Sequence, residues 1–594
     1  MNINLYSLQN LKNINKDYPF YYIGTDFLKY KTISLKYKEL KFNYDLILIS
    51  NEEKKFFLNW IEENRKLNKD SIYWWQTSLG SKNNLFSKFY DIICQFRKFE
   101  KCIKKNKRNL SINLICEDEY IKFFILKNLK KNYFSNLNGI DKKKKIEKNL
   151  LIEMKFFFKK IFLLSKLFLF SRITKFMRNK DLPKGEVLLF HNCLNKNFLI
   201  KNKIIICNYF GILPLLLKNK NKQIYSLPWI PIELLNFSFF KKVSNIKKVF
   251  IPDDYLEISD YFKLIFNSSK KIKDLKIKKK YKNLDLSKLI EREKIKENHE
   301  MHFIFLRYLP AIEKWSKKID KLVTYDHYEN LQFEHPLRYF CKKKKNFHSV
   351  GYYHSYVSKN FLSYQHSFSE WESNFKPDKI VTHSKFAKKL LIQQGVPKKK
   401  LVVGNDFREN KIYLNKKSLG NNILVPLSLN ENSNYEIIKS LHLINNSFLL
   451  KNNISVIIRT HPMYDKNKQI KKLEKITQFP KNWSISQNKE INHDILKSKC
   501  AITLSSASSF NFIRHGLPVL NLESNFTVLS NYMDFLPRNN FLSKTYKTDE
   551  MIEILRTIFV SKKIYKKKDL VFIKNLLNLN NFDYSYKKIK SFLI

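Results

Sequence analysis

Glycine is scarce in this chain, which has 10 glycines in 594 residues. An average usage near 7% would give about 42. Lysine, asparagine, isoleucine and phenylalanine are in excess throughout, which indicates a codon bias towards A and T. Lysine is therefore a default surface residue in this protein.

Paired cysteines and a secretory leader are also missing. The seven cysteines lie far apart and form no Cys-x-x-Cys pair, so neither a zinc site nor a disulfide scaffold is indicated. Residues 1–10 lack the basic segment and apolar core that are typical of a signal peptide. Both observations predict a cytoplasmic protein.

The formal net charge of +58 raises the question of nucleic-acid binding. The lysines are spread along the chain, however, and no motif for binding RNA or DNA is recognisable. We therefore expect no nucleic-acid partner, although the charge favours anionic lipid or phosphate-bearing substrates. Hydrophobic residues make up 44% of the chain and aromatic residues 15%, which predicts a folded protein.

Short apolar runs alternate with amphipathic stretches along most of the chain, a pattern that predicts α/β units on parallel sheets. The sequence predicts two facing Rossmann-like lobes, with the N-terminal lobe enlarged by an amphipathic helical insertion. The first lobe is predicted to begin with an α/β part at residues 1–140, followed by the helical segment at 141–183 and the rest of the lobe at 184–415. The nucleotide-binding lobe is predicted at residues 416–594. A long helix is predicted over residues 286–318. Buried strands are predicted at residues 20–23, 46–49, 112–116, 187–190, 204–206, 248–251, 423–427, 456–459, 501–504 and 519–522.

The segment 142–178 differs in kind from the rest of the chain. Lys148, Lys155, Lys159 and Lys166 fall on one helical stripe, and most of the remaining surface is Phe, Leu, Ile and Met. Its longest apolar runs are four residues, too short to span a bilayer. The helix is therefore predicted either to lie in a membrane interface or to be buried between domains.

Polar side chains follow the predicted strand at residues 456–459. Arg459 and His461 come at its carboxyl end, and Pro462 stops the strand. Ligands of open α/β sheets bind outside these strand ends, and Arg and His suit a phosphate. The alternative is a solvated strand end with incidental polar residues.

A second polar turn follows the predicted strand at residues 501–504. Ser505, Ser506 and Ser508 precede a predicted helix, so hydroxyls and free backbone N–H groups are expected to form an anion site there. The alternative is ordinary helix capping by serine. Together with Arg459 and His461, which we place on the neighbouring strand, the turn predicts a phosphate site.

These segments, with Gly516-Leu517-Pro518, resemble the C-terminal half of GT-B glycosyltransferases. Within that fold they look like the group that contains CDP-glycerol glycerophosphotransferases, capsule Kdo transferases and bacterial sialyltransferases. The resemblance implies that the His-Pro and paired-Ser motifs contact the nucleotide and its phosphates. Many relatives carry Glu five residues before the Gly, where this chain has Asn511, whose amide suits a ribose hydroxyl. The implied donor-binding residues are Arg459, His461, Pro462, Ser505, Ser506, Ser508, Asn511 and Gly516.

The first lobe carries a second resemblance, to bacterial surface carbohydrate biosynthesis proteins. It rests mainly on the ordered segments 324–334, 350–355, 377–381 and 404–408, and also on 74–81 and 209–214. His354 resembles the catalytic histidine of the teichoic acid enzymes, although several relatives have His-Gly where this chain has His354-Ser355. Sugar transfer needs a base for the acceptor hydroxyl, and His354 is the first candidate. Glu329 and Glu334 are alternatives that would act as the base or orient the histidine.

The resemblance implies a metal-independent glycosyltransferase that uses a nucleotide-sugar donor, without a cofactor, to build a cell-surface polysaccharide such as O-antigen or capsule. The acidic run Glu117-Asp118-Glu119 is interpreted as a helix N-terminus rather than a metal site. The expected acceptor is a saccharide or lipid-linked saccharide at the inner face of the cytoplasmic membrane, with peripheral contact through residues 142–178. The alternatives are polyol-phosphate transfer from a CDP-polyol on the same fold, a non-catalytic scaffold and a basic nucleic-acid-binding protein.

Overall fold

The computed structural model contains three parallel sheets joined by helices. The structure describes residues 2–593 apart from 9–10, 12–13, 41–44, 70, 106–110, 130–132, 137–141, 179–181, 195–197, 202–203, 208, 219–220, 247, 300–301, 408–419, 489, 530, 536–544 and 561–588.

The N-terminal part is a small α/β unit whose four strands form a parallel sheet of their own, in the order β2-β3-β1-β4. The prediction had placed these strands in the first lobe, whereas the structure gives them a separate sheet. The elements are β1 (Asn2–Ser7), β2 (Phe20–Ile23), α1 (Phe27–Ser34), α2 (Leu46–Leu67), α3 (Ile72–Trp75), α4 (Phe89–Lys105), β3 (Ser111–Cys116), α5 (Glu119–Asn128) and β4 (Phe134–Asn136).

The middle part contains a six-stranded parallel sheet, with the order β14-β13-β12-β11-β5-β8. Its elements are preceded by α6 (Lys142–Thr174). They are β5 (Gly185–Cys193), β6 (Leu199–Lys201), β7 (Ile204–Ile206), α7 (Leu213–Leu216), β8 (Lys222–Trp229), α8 (Phe237–Ser244), α9 (Ile258–Lys273), β9 (Lys280–Tyr281), β10 (Leu284–Asp285), α10 (Ser287–His299), α11 (Tyr308–Trp315), β11 (Ile319–Asp326), α12 (His335–Lys342), β12 (Phe347–Tyr353), β13 (Lys379–Thr382), α13 (Lys385–Gln393) and β14 (Leu401–Val403).

The C-terminal part contains the second six-stranded parallel sheet, ordered β17-β16-β15-β18-β19-β20. Its central strands are continuous apolar runs, as expected where helices cover both faces. The elements are β15 (Asn422–Pro426), α14 (Glu431–Ile444), β16 (Ser455–Arg459), α15 (Lys466–Glu474), β17 (Trp483–Ile485), α16 (Ile491–Leu496), β18 (Ser498–Thr503), α17 (Ser509–Arg514), β19 (Val519–Leu522), β20 (Thr545–Tyr546) and α18 (Thr548–Val560).

The two six-stranded sheets confirm the α/β class with two Rossmann-like lobes. In the C-terminal sheet the chain runs from β15 to one edge, returns to the centre and continues from β18 to the other edge. The middle sheet reverses in the same way between β5 and β11. Such reversals place ligand crevices at the carboxyl ends of the central strands.

Both ends of the chain pack against lobes that lie far from them in sequence. Phe27 of α1 contacts Phe526 edge-on, with ring centroids 5.5 Å apart, and its N–H donates to Asn432 Oδ1. Phe592, fully buried, packs in the core of the middle part, where its carbonyl accepts from the Tyr325 hydroxyl. The predicted boundary at residue 416 assigns Phe592 to the C-terminal lobe, whereas the structure packs it in the middle part.

Three secondary-structure predictions were wrong. Residues 46–49 open helix α2, where Asp45 caps the first turn by accepting from Ile47 N. Residues 248–251 form only an isolated bridge, between Ser226 and Val249. Residues 286–318 are divided into α10, a 3-10 turn and α11, and Pro310 lies in the first turn of α11, where its missing N–H is not needed.

Helix α6 buries one face and exposes the other. Leu163, Leu164 and Leu167 are buried against the middle part. On the other face, Phe158 and Phe162 are 61% and 69% exposed, and Leu169 and Ile173 are both 54% exposed. Phe176, 74% exposed, follows in the 3-10 turn after α6. No helix in the described part of the chain is both long and apolar enough to cross a bilayer. The helix is therefore docked by one apolar face, and a second apolar face remains at the surface.

Candidate functional site

A cleft of about 520 Å³ lies at the carboxyl ends of the C-terminal strands and reaches the middle part. The lining includes Cys193 at the end of β5, and also Tyr209 and Leu85. Seven of the eight predicted donor-binding residues line it, namely Arg459, His461, Pro462, Ser505, Ser506, Ser508 and Asn511.

The two predicted motifs share a sheet but do not end neighbouring strands. Strand β15 lies between β16, which carries Arg459, and β18, which precedes Ser505. The prediction of adjacent strands was therefore wrong, and the loop after β15 contributes Ser428 and Leu429 to the cleft between them. Sequence reasoning missed this loop, although a serine after a buried strand is the signal that selected Ser505.

His461 presents a neutral imidazole to the cleft. Its Nδ1 accepts from the Met463 N–H at 3.2 Å, and its own backbone N–H donates to Gln469 Oε1. The neutral ring therefore carries its proton on Nε2, where it is a donor suited to a phosphate oxygen. Burial lowers the pKa of His461 to about 4, so the ring is uncharged at neutral pH.

Arg459 is tied into the cleft wall by an ion pair. Its Nη1 lies 2.6 Å from the Asp494 carboxylate and also donates to the Asn488 carbonyl and the Ser486 hydroxyl. Asp494 is 1% exposed, so removing the guanidinium would leave a buried charge uncompensated. Part of the Arg459 guanidinium is thus bonded within the protein. Its main role is therefore to hold the wall of the cleft in place.

The serine turn after β18 is built differently from the prediction. Ser505 has a φ of 58°, and its hydroxyl donates to the Leu529 carbonyl while it accepts from Ser433 at 3.2 Å. Its hydroxyl is therefore used within the fold. Ser506 Oγ accepts from the Ser508 N–H at 3.4 Å, and Ser508 makes no side-chain capping bond. The hydroxyls of Ser506 and Ser508 are the better candidates for a ligand.

Gly516 does not line the cleft and has a structural role instead. It ends α17 with a φ of 74°, a left-handed conformation that favours glycine. The Gly516 N–H donates to the Ile513 carbonyl and the Leu517 N–H to the Phe512 carbonyl, which is the Schellman pattern. The predicted donor contact at Gly516 is therefore replaced by a helix cap.

The candidate base lies at the end of β12, as predicted. His354 is 7% exposed, and its Nε2 is 3.4 Å from Oε1 of Glu329. The His354 ring meets the Tyr209 ring edge-on, with centroids 4.6 Å apart, and Tyr209 lines the cleft. The pair therefore sits beside the cleft, on the side of the middle part.

Glu329 also lies close to the cleft. Burial raises the pKa of Tyr532, and the Glu329 carboxylate adds to that rise. The same carboxylate contributes, after burial, to the raised pKa of the Cys193 thiol. Both Tyr532 and Cys193 line the cleft, which places the His354–Glu329 pair within electrostatic reach of it.

Glu334 positions the loop and cannot act as the base. It is fully buried, accepts from the backbone N–H groups of Glu329 and Asn330, and forms an ion pair with the buried Arg338. Burial raises the pKa of Glu334, and the Arg338 guanidinium opposes that rise. The prediction of Glu334 as an alternative base is corrected, since its carboxylate holds Glu329 in place instead.

Gly351 makes room for this loop. A Cβ at Gly351 would lie 2.8 Å from the Tyr328 ring, which packs directly over the strand. Tyr328 itself adopts a φ of 47°, and its N–H donates to Asp326 Oδ1. The absence of a side chain at Gly351 thus permits the turn that carries Glu329.

The acidic run after β3 begins a helix, as predicted. Asp118 caps α5 by accepting from Ile121 N, and Arg292 pairs with both Asp118 and Glu117. Within the described ranges no group of three His, Cys, Asp or Glu side chains is arranged to hold a metal ion.

No protein-family model and no curated protein matches this sequence. Among solved structures, the chain is similar to a calicheamicin glycosyltransferase, with a TM-score of 0.37, 10% identity and coverage of 69% of this chain and 95% of that one. It is also similar to the UDP-N-acetylglucosamine 2-epimerase of Rickettsia bellii, with a TM-score of 0.36, 13% identity and coverage of 67% of this chain and 95% of that one. A third similar structure is Anabaena HepE in complex with UDP and glucose, with a TM-score of 0.33, 10% identity and coverage of 66% of this chain and 94% of that one.

Proposed function

We propose that this protein is a glycosyltransferase that takes its donor sugar from a nucleotide. The proposal rests mainly on one observation, that His461, Ser506, Ser508 and Asn511 line a single cleft beside the His354–Glu329 pair. A neutral His Nε2–H and hydroxyl groups suit a diphosphate, and the Asn511 amide suits a ribose hydroxyl. The cleft volume of about 520 Å³ lies within the range of small-molecule sites.

In the proposed reaction His354 takes the proton of an acceptor hydroxyl, which then attacks the anomeric carbon of the donor. Glu329 would orient the imidazole and stabilise its protonated form. The bond between the anomeric carbon and the phosphate oxygen breaks, and the leaving diphosphate gains charge. The His461 donor would stabilise that charge more strongly in the transition state than in the ground state. The proposal includes no metal and no cofactor.

The acceptor is proposed to be a surface saccharide, free or lipid-linked, at a membrane. Helix α6 and the 3-10 turn that follows it support this, because Phe158, Phe162 and Phe176 are exposed beside the cations Lys155 and Lys175. An exposed apolar face with flanking lysines suits the interface of an anionic bilayer. We therefore propose a peripheral association with the inner face of the cytoplasmic membrane.

A donor panel tests the proposal. Purified protein is incubated with nucleotide sugars of UDP, GDP, CDP and CMP, or with a CDP-polyol, and with a membrane fraction as acceptor, and release of the nucleotide is followed. We expect release from a nucleotide sugar that depends on the acceptor and is abolished in His354→Ala. Release from a CDP-polyol alone would show polyol-phosphate transfer and contradict sugar transfer. Lack of release from every donor would count against both activities.

A further inference from the structure

A second cavity, of about 330 Å³, lies between helix α2 and the segments around residues 74–82 and 365–370. It shares no lining residue with the donor cleft. One face of α2 forms one wall, and the two tryptophans Trp74 and Trp75 line the other. The cavity is therefore a separate feature that the proposed transfer reaction does not use.

Cations outnumber carboxylates around this cavity. Its lining holds four cationic side chains, Lys54, Lys55, Arg65 and Lys82, and two carboxylates, Glu62 and Glu370. Each carboxylate is already neutralised within the protein. The bidentate ion pair with Arg65 satisfies Glu62, at 2.9 and 2.7 Å.

Glu370 is shared by two buried ammonium groups. Lys82 Nζ lies 2.6 Å from one of its oxygens and Lys376 Nζ lies 2.7 Å from the other. The side chains of Lys82, Lys376 and Glu370 are 3%, 1% and 4% exposed. Burial and the neighbouring Lys82 charge lower the pKa of Lys376 to about 7, and an approaching negative charge would favour its ammonium form. The cluster is thus suited to an anionic ligand.

The two tryptophans of the cavity wall are unusual. Trp74 and Trp75 are buried, and among the described residues neither indole Nε1–H meets an acceptor. A buried donor that lacks an acceptor is costly, and such exceptions require an explanation. Lys82 also adopts a left-handed φ of 55°, a strained backbone conformation that is concentrated at functional sites. Both features lie in the wall of the same cavity.

We propose that this cavity binds an anionic sugar, one that carries a carboxylate or a phosphate. The excess of cations, Lys54 and Lys55, would hold the charged group, and Asn51, Asn59 and Gln365 would hold hydroxyls. A volume of about 330 Å³ is large enough for a single sugar that carries a charged group. The proposal does not depend on the identity of the donor or on the transfer reaction.

The cavity also connects to the candidate catalytic loop. Lys376 Nζ lies 2.9 Å from Asn330 Oδ1, and Asn330 follows Glu329 directly. His366 also lines the cavity, and its Nε2 forms a hydrogen bond of 3.0 Å with the Tyr328 hydroxyl on the same loop. A ligand in the cavity would therefore contact His366 and Glu370, which link the cavity to the loop that carries Glu329.

The test follows the indole resonances of the full-length protein labelled with ¹⁵N-tryptophan. The chain has seven tryptophans, and Trp74→Phe and Trp75→Phe identify the two signals of interest. The probes are glucuronate and glucose 6-phosphate, with glucose and inorganic phosphate as comparisons. We expect a saturable shift of these two signals with at least one charged sugar, and binding at least tenfold weaker with glucose and with phosphate.

Two variants check that the cavity cations hold the ligand. Lys82→Met should weaken binding of the charged sugar at least tenfold. Because Lys82 is buried, the double variant Lys54→Gln with Lys55→Gln, which changes partly or fully exposed side chains, provides a second test and should weaken binding several-fold. The absence of a saturable shift with both charged sugars would overturn the proposal. So would equal binding of glucose or phosphate, or unchanged binding in the folded variants.

Discussion

Nε2 of His354 lies 3.4 Å from Oε1 of Glu329, and Glu329 is itself held by the buried Glu334 through its backbone N–H. A carboxylate beside an imidazole fixes the ring and favours its protonated form, which is the arrangement expected of a general base. The buried Glu334–Arg338 ion pair supplies the rigid support for this geometry. Substitutions at His354, Glu329 and Glu334 can therefore distinguish the catalytic contact from the contacts that support it.

Replacing His354 by Ala should abolish transfer but leave nucleotide binding intact. Its proposed role is proton abstraction, which contributes about 10²- to 10⁴-fold to turnover. Initial rates and calorimetric nucleotide binding measure the two effects. Glu329→Gln should lower turnover less and alter the pH profile of the rate. An unchanged rate in His354→Ala would transfer the role of base to Glu329.

Replacing Glu334 by Ala should destabilise the fold strongly. The substitution leaves the buried Arg338 guanidinium with one carboxylate partner fewer, and breaking a buried ion pair typically costs about 3–5 kcal/mol. The midpoint of urea unfolding measures the loss. Glu329→Gln, at a partly exposed carboxylate, is the matched control and should leave the midpoint nearly unchanged. A stable Glu334→Ala protein that has lost only its activity would contradict the positioning role.

Serines 505 and 506 should behave differently when replaced by Ala. The Ser505 hydroxyl bonds to the Leu529 carbonyl, so Ser505→Ala should lower the melting temperature and change nucleotide affinity little. Ser506→Ala should weaken the nucleotide by roughly 1 kcal/mol, the usual net value of one hydrogen bond. Calorimetry and thermal melting on both variants separate the effects. The reverse result would restore the predicted ligand contact at Ser505.

His191 should make the protein sensitive to acid. The ring is 1% exposed, neither nitrogen has a partner among the described residues, and burial lowers the pKa of His191 to about 3. The unfolded chain takes up a proton near pH 6.5 but the folded chain does not, so stability is lost as the pH falls below about 6.5. Between pH 6.5 and 5 the loss would be about 2 kcal/mol.

The variant His191→Phe tests this assignment. It keeps an aromatic ring between Tyr308 and Phe333 and removes the titrating group. The melting temperature of the wild type should fall more between pH 7 and pH 5 than that of the variant. Parallel curves for the two proteins would contradict the role of His191.

Serine substitutions at Phe158, Phe162 and Phe176 should reduce binding to anionic vesicles. The three rings are among the most exposed apolar side chains of α6 and the 3-10 turn that follows it, and wild-type binding should also weaken at high salt. Cosedimentation with vesicles measures both effects. The matched control replaces Leu35, Phe368 and Leu443, which are equally exposed elsewhere, and should bind like the wild type. Equal losses in the two triple variants would contradict a specific membrane face.

The sequence predicted the α/β class and most C-terminal strands because each of these strands is a buried apolar run followed by a polar turn. It failed at residues 46–49, because a four-residue apolar run looks the same in a strand and in the first turn of a helix. Asp45, a good capping residue, was the signal that separates the two.

The candidate site was predicted less completely than the fold. Arg459, His461 and the serine turn were found because they follow strands in sequence. The order of the strands places β15 between the strands of the two motifs, and the packing of the lobes brings Tyr209 and Cys193 to the cleft. Neither the strand order nor the packing can be seen in the sequence. Sequence spacing also cannot reveal that the Glu334 and Ser505 side chains bond within the fold.

Nucleotide binding is the most direct test of the account. Calorimetry with UDP, GDP, CDP and CMP, on the wild type and on His461→Ala, measures whether the cleft is a donor site. We predict that at least one nucleotide binds more tightly than inorganic phosphate and that His461→Ala weakens it, while His354→Ala does not. If no nucleotide binds more tightly than phosphate, or if His461→Ala binds like the wild type, the cleft is not the donor site.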